Sequence, residues 1–537
     1  MKIVTIFLII LLFFALVNCG NGDAGSKSKD FNVVLMTLDT TRSDYVDTGK
    51  GAKAFTPALK RFARKSTVFE RAFCTIPQTL PSHLSVLTSY YPHQCGVYSN
   101  HDQYDGRYPM LQQVLKENGY FTAGVISLGT LSSTTGIAEG FDEFRENLNE
   151  ENVFFTTAER VTREAEQLLN KIKKEKFFLF LHYSDPHSPY SSPDPRFHGR
   201  FAIYMDGQPL VKLNAHQGAI LRKQVDMPKG HHTIRLKVET FSEDFDAFVI
   251  RRLKFSKNCT VSFQNMEFSK KYYGGSHLLR GEEGVIRVNC TGRGSMEIFQ
   301  IIPLLTWRAA IDHYRREVEY MDRWVGKFLG TLEKERLLDR TLVVITGDHG
   351  EGLGERERYF GHVRYLNQQF IKVPFMMYLP GIKPGRVTVP VSLAGISPTL
   401  LGILGLQDGS FNHESLLALI KNKNRMKNRK PVYSFAYSPS AREDKLSVLS
   451  WPYQCIYSKD NTGKMNNEIY NLSLSQSFRK WDEVSPSVLV RHSRKDYLTL
   501  RSSFYQWNTV FNKSKLARAK PSSRREIEKL KTMGYVQ

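Results

Sequence analysis

Cysteine is scarce in this chain, with six in 537 residues, and no two of them have Cys-x-x-Cys spacing. That excludes the usual zinc-cluster framework and a thioredoxin-like redox motif. Acidic residues are also short: 53 Asp and Glu stand against 75 Lys and Arg, leaving a net charge of +22. No zinc finger, recognition helix with basic arm or RNA-binding signature accompanies that surplus. The expected partners are therefore small or polymeric anions, such as phosphate or sulfate esters, anionic lipid or acidic glycan, and not nucleic acid. No low-complexity tract interrupts a composition that is 41% hydrophobic and 24% charged. The most apolar run, Ile3 to Val17, falls short of the roughly 20 residues that a bilayer span needs.

That run has a different use. Lys2, the apolar stretch and Asn18-Cys19-Gly20 have the order of a secretory signal. Leu16-Val17-Asn18-Cys19 resembles a bacterial lipobox, with Asn where a small residue is usual, so Cys19 is the candidate lipidated residue. The expectation is an exported protein, lipid-anchored to the cell envelope through Cys19 on a Gly/Ser/Lys-rich tether that ends at Asp30. Plain secretion and an uncleaved anchor are the alternatives. In an oxidising compartment Cys74–Cys95 and Cys259–Cys290 are candidate disulfides, against buried free thiols.

From Phe31 onward, "FNVVLMTLDTTRSD" is an apolar run that stops at Asp39. "LQQVLKENGYFTAGVIS" reads as an amphipathic helix, a glycine stop and a strand. "RVTREAEQLLNKIKKEKFFLFLHYSDPH" repeats the plan and ends near Asp185, and "YRREVEYMDRWVGKFLGTLEKERLLDRTLVVITGDHGE" ends near Asp348. Helices alternating with near-continuous apolar strands predict an α/β fold with a mostly parallel central sheet covered by helices on both faces. Ligands bind beyond the C-terminal ends of such strands, where Asp39, Asp185 and Asp348 all fall. Between 197 and 305 the pattern changes to short alternating strands with Gly turns, which predicts an inserted β-sandwich. The expected organisation is a signal over 1–18, the tether over 19–30, and core segments at 31–196 and 306–420 around the 197–305 insert. A small C-terminal α+β subdomain follows over 421–537 and closes with a helix at "SSRREIEKLKTMGY".

Five motifs occur in order: "NVVLMTLDTTRSD", "TLPSHLSVLTSYYPHQCGV", "LHYSDPHSPY", "VVITGDHGEGLGE" and "FGHVRYLNQQFIKVPFMMYLPG". Together they resemble the sulfatase family of the alkaline phosphatase superfamily over most of the chain outside the signal and the insert. The resemblance implies an alkaline phosphatase-like fold and a metal-dependent ester hydrolase. Asp39, Thr79, Asp348 and His349 would hold one divalent ion, with Thr79 as ligand and nucleophile together. Considered alone, Thr79 would be a helix cap followed by Pro81. At a helix N-terminus it would also feel a field that favours an alkoxide and an incoming anion. His187 falls on the family's substrate and leaving-group histidine, and His362 falls where a basic residue faces the anion. Glu351 and Glu355 are expected behind the site or in solvent.

The departures from the family pattern shape the expected chemistry. Sulfatases carry Cys or Ser, oxidised to formylglycine, at the position of Thr79 in a Cys/Ser-x-Pro-Ser-Arg motif. Oxidation of Thr would give a ketone, so Thr79 is expected to act unmodified. In this it resembles the threonine nucleophiles of nucleotide phosphodiesterases, phosphoethanolamine transferases and lipoteichoic acid synthases. The motif's Arg is His83 here, which takes its place in the expected catalytic set with Thr79, His187 and His362; Thr40 replaces the second Asp of an Asp-Asp pair, and no Lys-x-His follows the first long helix. An imidazole in place of a carboxylate favours Mn²⁺ or Zn²⁺ over Ca²⁺ or Mg²⁺. Asp185 with His187 could instead hold a second metal, and one metal is preferred. Phosphate esters are expected over sulfate esters. The competing readings are a phospho-alcohol transferase of the envelope, a true sulfuric ester hydrolase and a non-catalytic glycan-binding surface lipoprotein.

Overall fold

The computed structural model describes residues 30–472, apart from 50–54, 147–154, 189, 191–198, 216–219, 240–244, 270–274, 357–358, 407–408, 423–429, 439–442 and 460–464, together with Ser502. The signal, Cys19, the tether and the closing helix expected at 522–535 lie outside the described residues.

The core is an eight-stranded sheet. In chain order its strands are β1 (Asn32–Leu38), β2 (Thr67–Phe69), β3 (Phe121–Val125), β4 (Glu143–Arg145), β5 (Phe177–Tyr183), β6 (Thr341–Gly347), β7 (Phe375–Tyr378) and β8 (Gly385–Val387). Across the sheet the order is β8-β2-β7-β6-β1-β5-β3-β4. Only β7 runs against its neighbours β6 and β2; every other pairing is parallel. The central strands β1, β5 and β6 are buried along their whole length, because successive side chains enter opposite cores. Val33 and Leu35 of β1 pack on one side with Leu80, Leu84 and Phe375. Val34, Met36 and Leu38 pack on the other with Leu168, Phe328 and Met321.

The helices follow the same logic. α1 (Ala158–Ile172) begins at Thr157, whose hydroxyl accepts from the Arg160 N–H, and buries Val161, Ala165, Leu168 and Ile172 at helical spacing. α2 (Trp307–Lys334) lies beside it on the same face of the sheet. The helix Thr79–Thr88 is different, since all of its residues are buried. A helix without a polar face can only sit inside the protein, and this one starts where the strands end.

Over 199–305 the chain forms five- and six-stranded antiparallel sheets. They share a core that includes Phe201, Ile234, Val288, Phe248 and Ile298. The expected Asp-Gly turn joins Gly199–Met205 to Gln208–Ala215, with φ of 51° at Asp206 and 82° at Gly207. Both residues are left-handed, as a two-residue hairpin turn requires. The described part of the C-terminal region is a four-stranded antiparallel sheet running from Val432 to Asn471.

Cys259 and Cys290 are disulfide-bonded across paired insert strands. The other expected pairing does not occur: Cys74 and Cys95 are free and buried, as is Cys455. Cys74 lies against the Phe370 carbonyl and Cys95 against the Thr88 hydroxyl, so each thiol is engaged with a different neighbour. Thiol labelling in denaturant should therefore modify Cys74, Cys95 and Cys455 without reductant. Peptide mapping should find Cys259 and Cys290 labelled only after reduction.

Candidate metal centre and active site

Register brings the two carboxylates together. Leu38, the last residue of β1, pairs with Gly347, the last residue of β6. The next residues, Asp39 and Asp348, therefore leave adjacent parallel strands side by side, and both are fully buried. Asp348 Oδ1 accepts the backbone N–H of His349 at 2.7 Å and that of Thr40 at 3.2 Å. Thr40 reaches this position with φ at 54°, unusual for a β-branched residue. Gly350 is required by packing, since a β-carbon there would overlap the Gln369 carbonyl oxygen.

Thr79 is the first residue of its helix. The cap position belongs to Gln78, whose carbonyl accepts the Ser82 N–H. The Thr79 hydroxyl is thus available to the site: Oγ1 lies 3.3 Å from Asp39 Oδ2 and 3.5 Å from His349 Nε2. Ser82 ties the helix to the strand end by donating to the Asp348 carbonyl at 2.8 Å. His349 Nδ1 is 3.0 Å from the Gly350 carbonyl, which can only accept, so Nδ1 carries the proton and Nε2 presents its lone pair. That nitrogen is 3.5 Å from Asp348 Oδ2 and 3.8 Å from Asp39 Oδ1.

These two carboxylate oxygens are buried and have no hydrogen-bond partner. Such groups are costly unless something positive lies between them. Burial raises the Asp39 pKa, but His182, His349 and His187 outweigh it and hold that group well below its usual range. Burial and then Asp39 drive Asp348 well above its own. The two cannot comfortably both be anions without a cation. Ligand atoms 3.5 to 3.8 Å apart compare with about 3.3–3.6 Å between neighbours in a tetrahedron of roughly 2.0–2.2 Å radius. The donor set of two carboxylates, a hydroxyl and an imidazole fits a divalent metal.

Beyond His349 the rings of His362 and His187 continue in a row, with centroids 4.4 Å and then 5.1 Å apart. His362 donates from Nδ1 to Glu351 at 2.9 Å, and its buried Nε2 has no partner. Burial alone would lower the His362 pKa; the Glu351 carboxylate outweighs burial and raises it. An imidazolium with an N–H to spare suits an anion. Glu351 is itself fully buried, accepting also from Tyr190 at 2.9 Å, and is not in solvent. His187 donates from Nδ1 to the Ser188 carbonyl at 2.7 Å.

Other expected positions lie away from the reacting side. His83, expected in the catalytic set, sits behind Thr79. Its Nδ1 is 2.7 Å from the Thr79 carbonyl and its Nε2 is 2.9 Å from the Thr37 hydroxyl. Burial, then neighbouring His182, lowers its pKa to about 3, so it cannot supply the charge of the Arg it replaces. It positions the helix start. Asp185 turns to the N-terminus of α1, accepting the Ala158 N–H at 2.9 Å, and burial pushes its pKa up to about 7. Glu355 pairs with buried Arg42, which also holds Asp44.

The sequence reading missed His182. It is fully buried on β5, opposite Thr37, with Nε2 3.2 Å from Asp39 Oδ2 and Nδ1 3.0 Å from Ser127 Oγ. Asp39 Oδ2 is thereby shared by Thr79 and His182 while Oδ1 faces the metal position. A His within the apolar run "FFLFLHY", at the ligand end of the strand, was the available signal.

The sulfatase family profile matches residues 31–406. The chain belongs to the sulfatase family. It is 23% identical over 392 residues to choline-sulfatase of Rhizobium meliloti, covering 70% of this chain and 68% of that one. It is 22% identical to N-acetylglucosamine-6-O-sulfatase of Bacteroides thetaiotaomicron, covering 77% and 75%. Among solved structures, one in complex with D-glucosamine-2-N,6-O-disulfate superposes with a TM-score of 0.59 at 14% identity, over 90% of this chain and 98% of the other. Another, in complex with a neocarrahexaose, gives 0.56 at 17%, over 94% and 97%. The fold of these structures is thus shared, and this sulfatase-family protein is a metal-dependent ester hydrolase.

Two variants test the site. His182→Ala should weaken metal binding about 10- to 100-fold, read by chelator competition, because a ligand's supporting hydrogen bond is lost. Glu351→Gln should leave metal content unchanged while lowering kcat/KM for an anionic ester about 10- to 100-fold, the scale of one charge-assisted hydrogen bond.

Proposed function

We propose that this chain hydrolyses a sulfate ester on an anionic glycan, with unmodified Thr79 as the nucleophile and one divalent metal held by Asp39, Thr79, Asp348 and His349. The observation that carries the reading is the Thr79 hydroxyl, at a buried helix N-terminus, within 3.5 Å of both Asp39 and His349. The relatives named above are sulfatases of choline and N-acetylglucosamine esters, and both superposed structures hold saccharides. They favour sulfate over the phosphate ester expected from sequence. The imidazole ligand favours Mn²⁺ or Zn²⁺.

A metal bound there would stabilise the Thr79 alkoxide and offset the charge of the ester. Asp39 Oδ2 is placed to accept the Thr79 proton. Thr79 Oγ1 then attacks sulfur, and the bond from sulfur to the glycan oxygen breaks. That oxygen takes up a proton from a water molecule beside His187, whose own proton is on Nδ1 toward the Ser188 carbonyl, while the His362 imidazolium holds the sulfuryl oxygens. Water next attacks the same sulfur, breaks its bond to Thr79 and releases sulfate. The second displacement is needed because an unmodified Thr offers no aldehyde hydrate from which sulfate could be eliminated.

That requirement supports a second reading. Double displacement suits phosphorus well, so a phosphate ester hydrolase, or an envelope transferase using an alcohol in place of water, uses the same groups. We also propose export with lipid attachment at Cys19, on sequence grounds. Among the described residues no helix is long and apolar enough to cross a membrane.

Purified protein should carry about one tightly held divalent ion by metal analysis, and Asp348→Asn should remove most of it. On a panel of aryl sulfate, glycan sulfate, phosphomonoester and phosphodiester, sulfate release should be fastest; preference for a phosphate ester would establish the second reading. Thr79→Ala should lower kcat by several orders of magnitude, and Thr79→Ser should retain part of it. The mass of the Thr79 peptide should be that of unoxidised threonine.

A further inference from the structure

Past the end of β3 the chain reads Ile126-Ser127-Leu128, with no Lys-x-His. Val125 of β3 pairs with Leu181 of β5, so Ser127 falls two residues further on, beside the end of that strand. Ser127 and Ser184 are both buried. The Ser127 hydroxyl donates to Ser184 Oγ at 2.7 Å, and its oxygen lies 3.0 Å from His182 Nδ1. A serine hydroxyl has one proton to give. Ser184 receives it, so Ser127 accepts from His182 Nδ1, and Nε2 is the nitrogen that meets Asp39 Oδ2 at 3.2 Å.

Hydrogen bonds therefore run along the ends of three neighbouring strands, from Ser127 beyond β3, through His182 on β5, to Asp39 beyond β1. Asp39 Oδ2 is also 3.3 Å from the Thr79 hydroxyl, while Oδ1 has no hydrogen-bond partner. The direction of this carboxylate thus depends on Thr79 and on His182. An imidazole bonded through one nitrogen can still turn about its Cβ–Cγ bond, whose torsional wells are broad. The bond to Ser127 at the second nitrogen removes that freedom. His83 cannot substitute for it, since its two nitrogens are engaged by the Thr79 carbonyl and the Thr37 hydroxyl.

The backbone of the same segment reaches the opposite side of the site. The Ser127 carbonyl accepts the Thr156 N–H at 2.8 Å, and Leu128 bridges to Phe155. The Phe155 ring lies 5.3 Å from that of His187. The side chain of Ser127 therefore serves the nucleophile side alone, and its backbone serves the leaving-group side.

We propose that Ser127 is a positioning residue for ester cleavage, fixing the His182 ring and thereby keeping Asp39 directed at both Thr79 and the metal position. This rests on the reading of Thr79 as nucleophile and Asp39 as metal ligand. Partners that orient metal ligands are worth about 10- to 100-fold in metal affinity or activity. Ser127 acts through one further residue, which puts its effect at the lower end.

The test is a double-mutant cycle on the full chain, with Zn²⁺ affinity read by chelator competition. Ser127→Ala should weaken Zn²⁺ binding about tenfold. In a His182→Ala chain the same change should alter affinity by less than about twofold, because the residue through which it acts is gone. Ser184→Ala, which frees the Ser127 hydroxyl to turn, should act in the same direction and should also lose its effect without His182. With metal saturating, Ser127→Ala should lower kcat for 4-nitrophenyl sulfate or 4-nitrophenyl phosphate roughly tenfold, with KM within about twofold, since the bond to Thr156 is untouched. Native Zn²⁺ affinity in Ser127→Ala would overturn the proposal. Equal losses in the native and His182→Ala backgrounds would overturn it too, by marking a general structural defect. Undiminished turnover by Thr79→Ala would refute the proposed nucleophile; the affinity cycle involves no turnover and would still decide the role of Ser127.

Discussion

Two buried carboxylates at the ends of neighbouring parallel strands are the constraint on which the site depends. Strands in a sheet lie about 4.8 Å apart, so the Leu38–Gly347 register forces Asp39 and Asp348 into each other's field. The surrounding structure answers that repulsion. Backbone N–H groups of Thr40 and His349 converge on one oxygen of Asp348, and His182 and Thr79 share one oxygen of Asp39. The two remaining oxygens are left for a cation. The helix Thr79–Thr88 completes the arrangement because its burial leaves it no freedom to carry the hydroxyl elsewhere.

Much of this was legible before any coordinates. Strands buried on both faces announce themselves as continuous apolar runs, and a ligand set at strand ends follows from the fold class. Asp39, Thr79, Asp348 and His349 each close or open such a run, and the structure brings them together. Side-chain direction was not legible. Asp185 also ends a strand, yet it turns back to cap α1, a choice made by where the helix begins in space. His83 occupies a motif position but points at the Thr79 carbonyl. Glu351 was expected behind the site or in solvent; only tertiary contact with Tyr190 and His362 decides for the first. The Cys74–Cys95 pairing failed for the same reason, because sequence separation says nothing of where two buried thiols face.

Relatives at 14–17% identity keep the backbone arrangement, so the fold tolerates wide change in what fills it. Thr at position 79 is a change of a different kind. On the proposed mechanism, a β-methyl group and a hydroxyl would keep a metal-binding oxygen in place but remove the route by which an aldehyde hydrate would discard its product. The burden of turnover would then fall on whatever activates water for the second displacement.

The Tyr190 hydroxyl holds Glu351. Tyr314, near the start of the helix that receives the last insert strand, accepts the Arg42 N–H and donates to the Thr40 carbonyl. The chain on either side of the sandwich therefore carries a tyrosine that braces the site, and the two rings meet edge to face 5.7 Å apart. Tilt of the insert would reach the site through these paired rings and their hydrogen-bonded hydroxyls, which makes the insertion point a mechanical root of the active site.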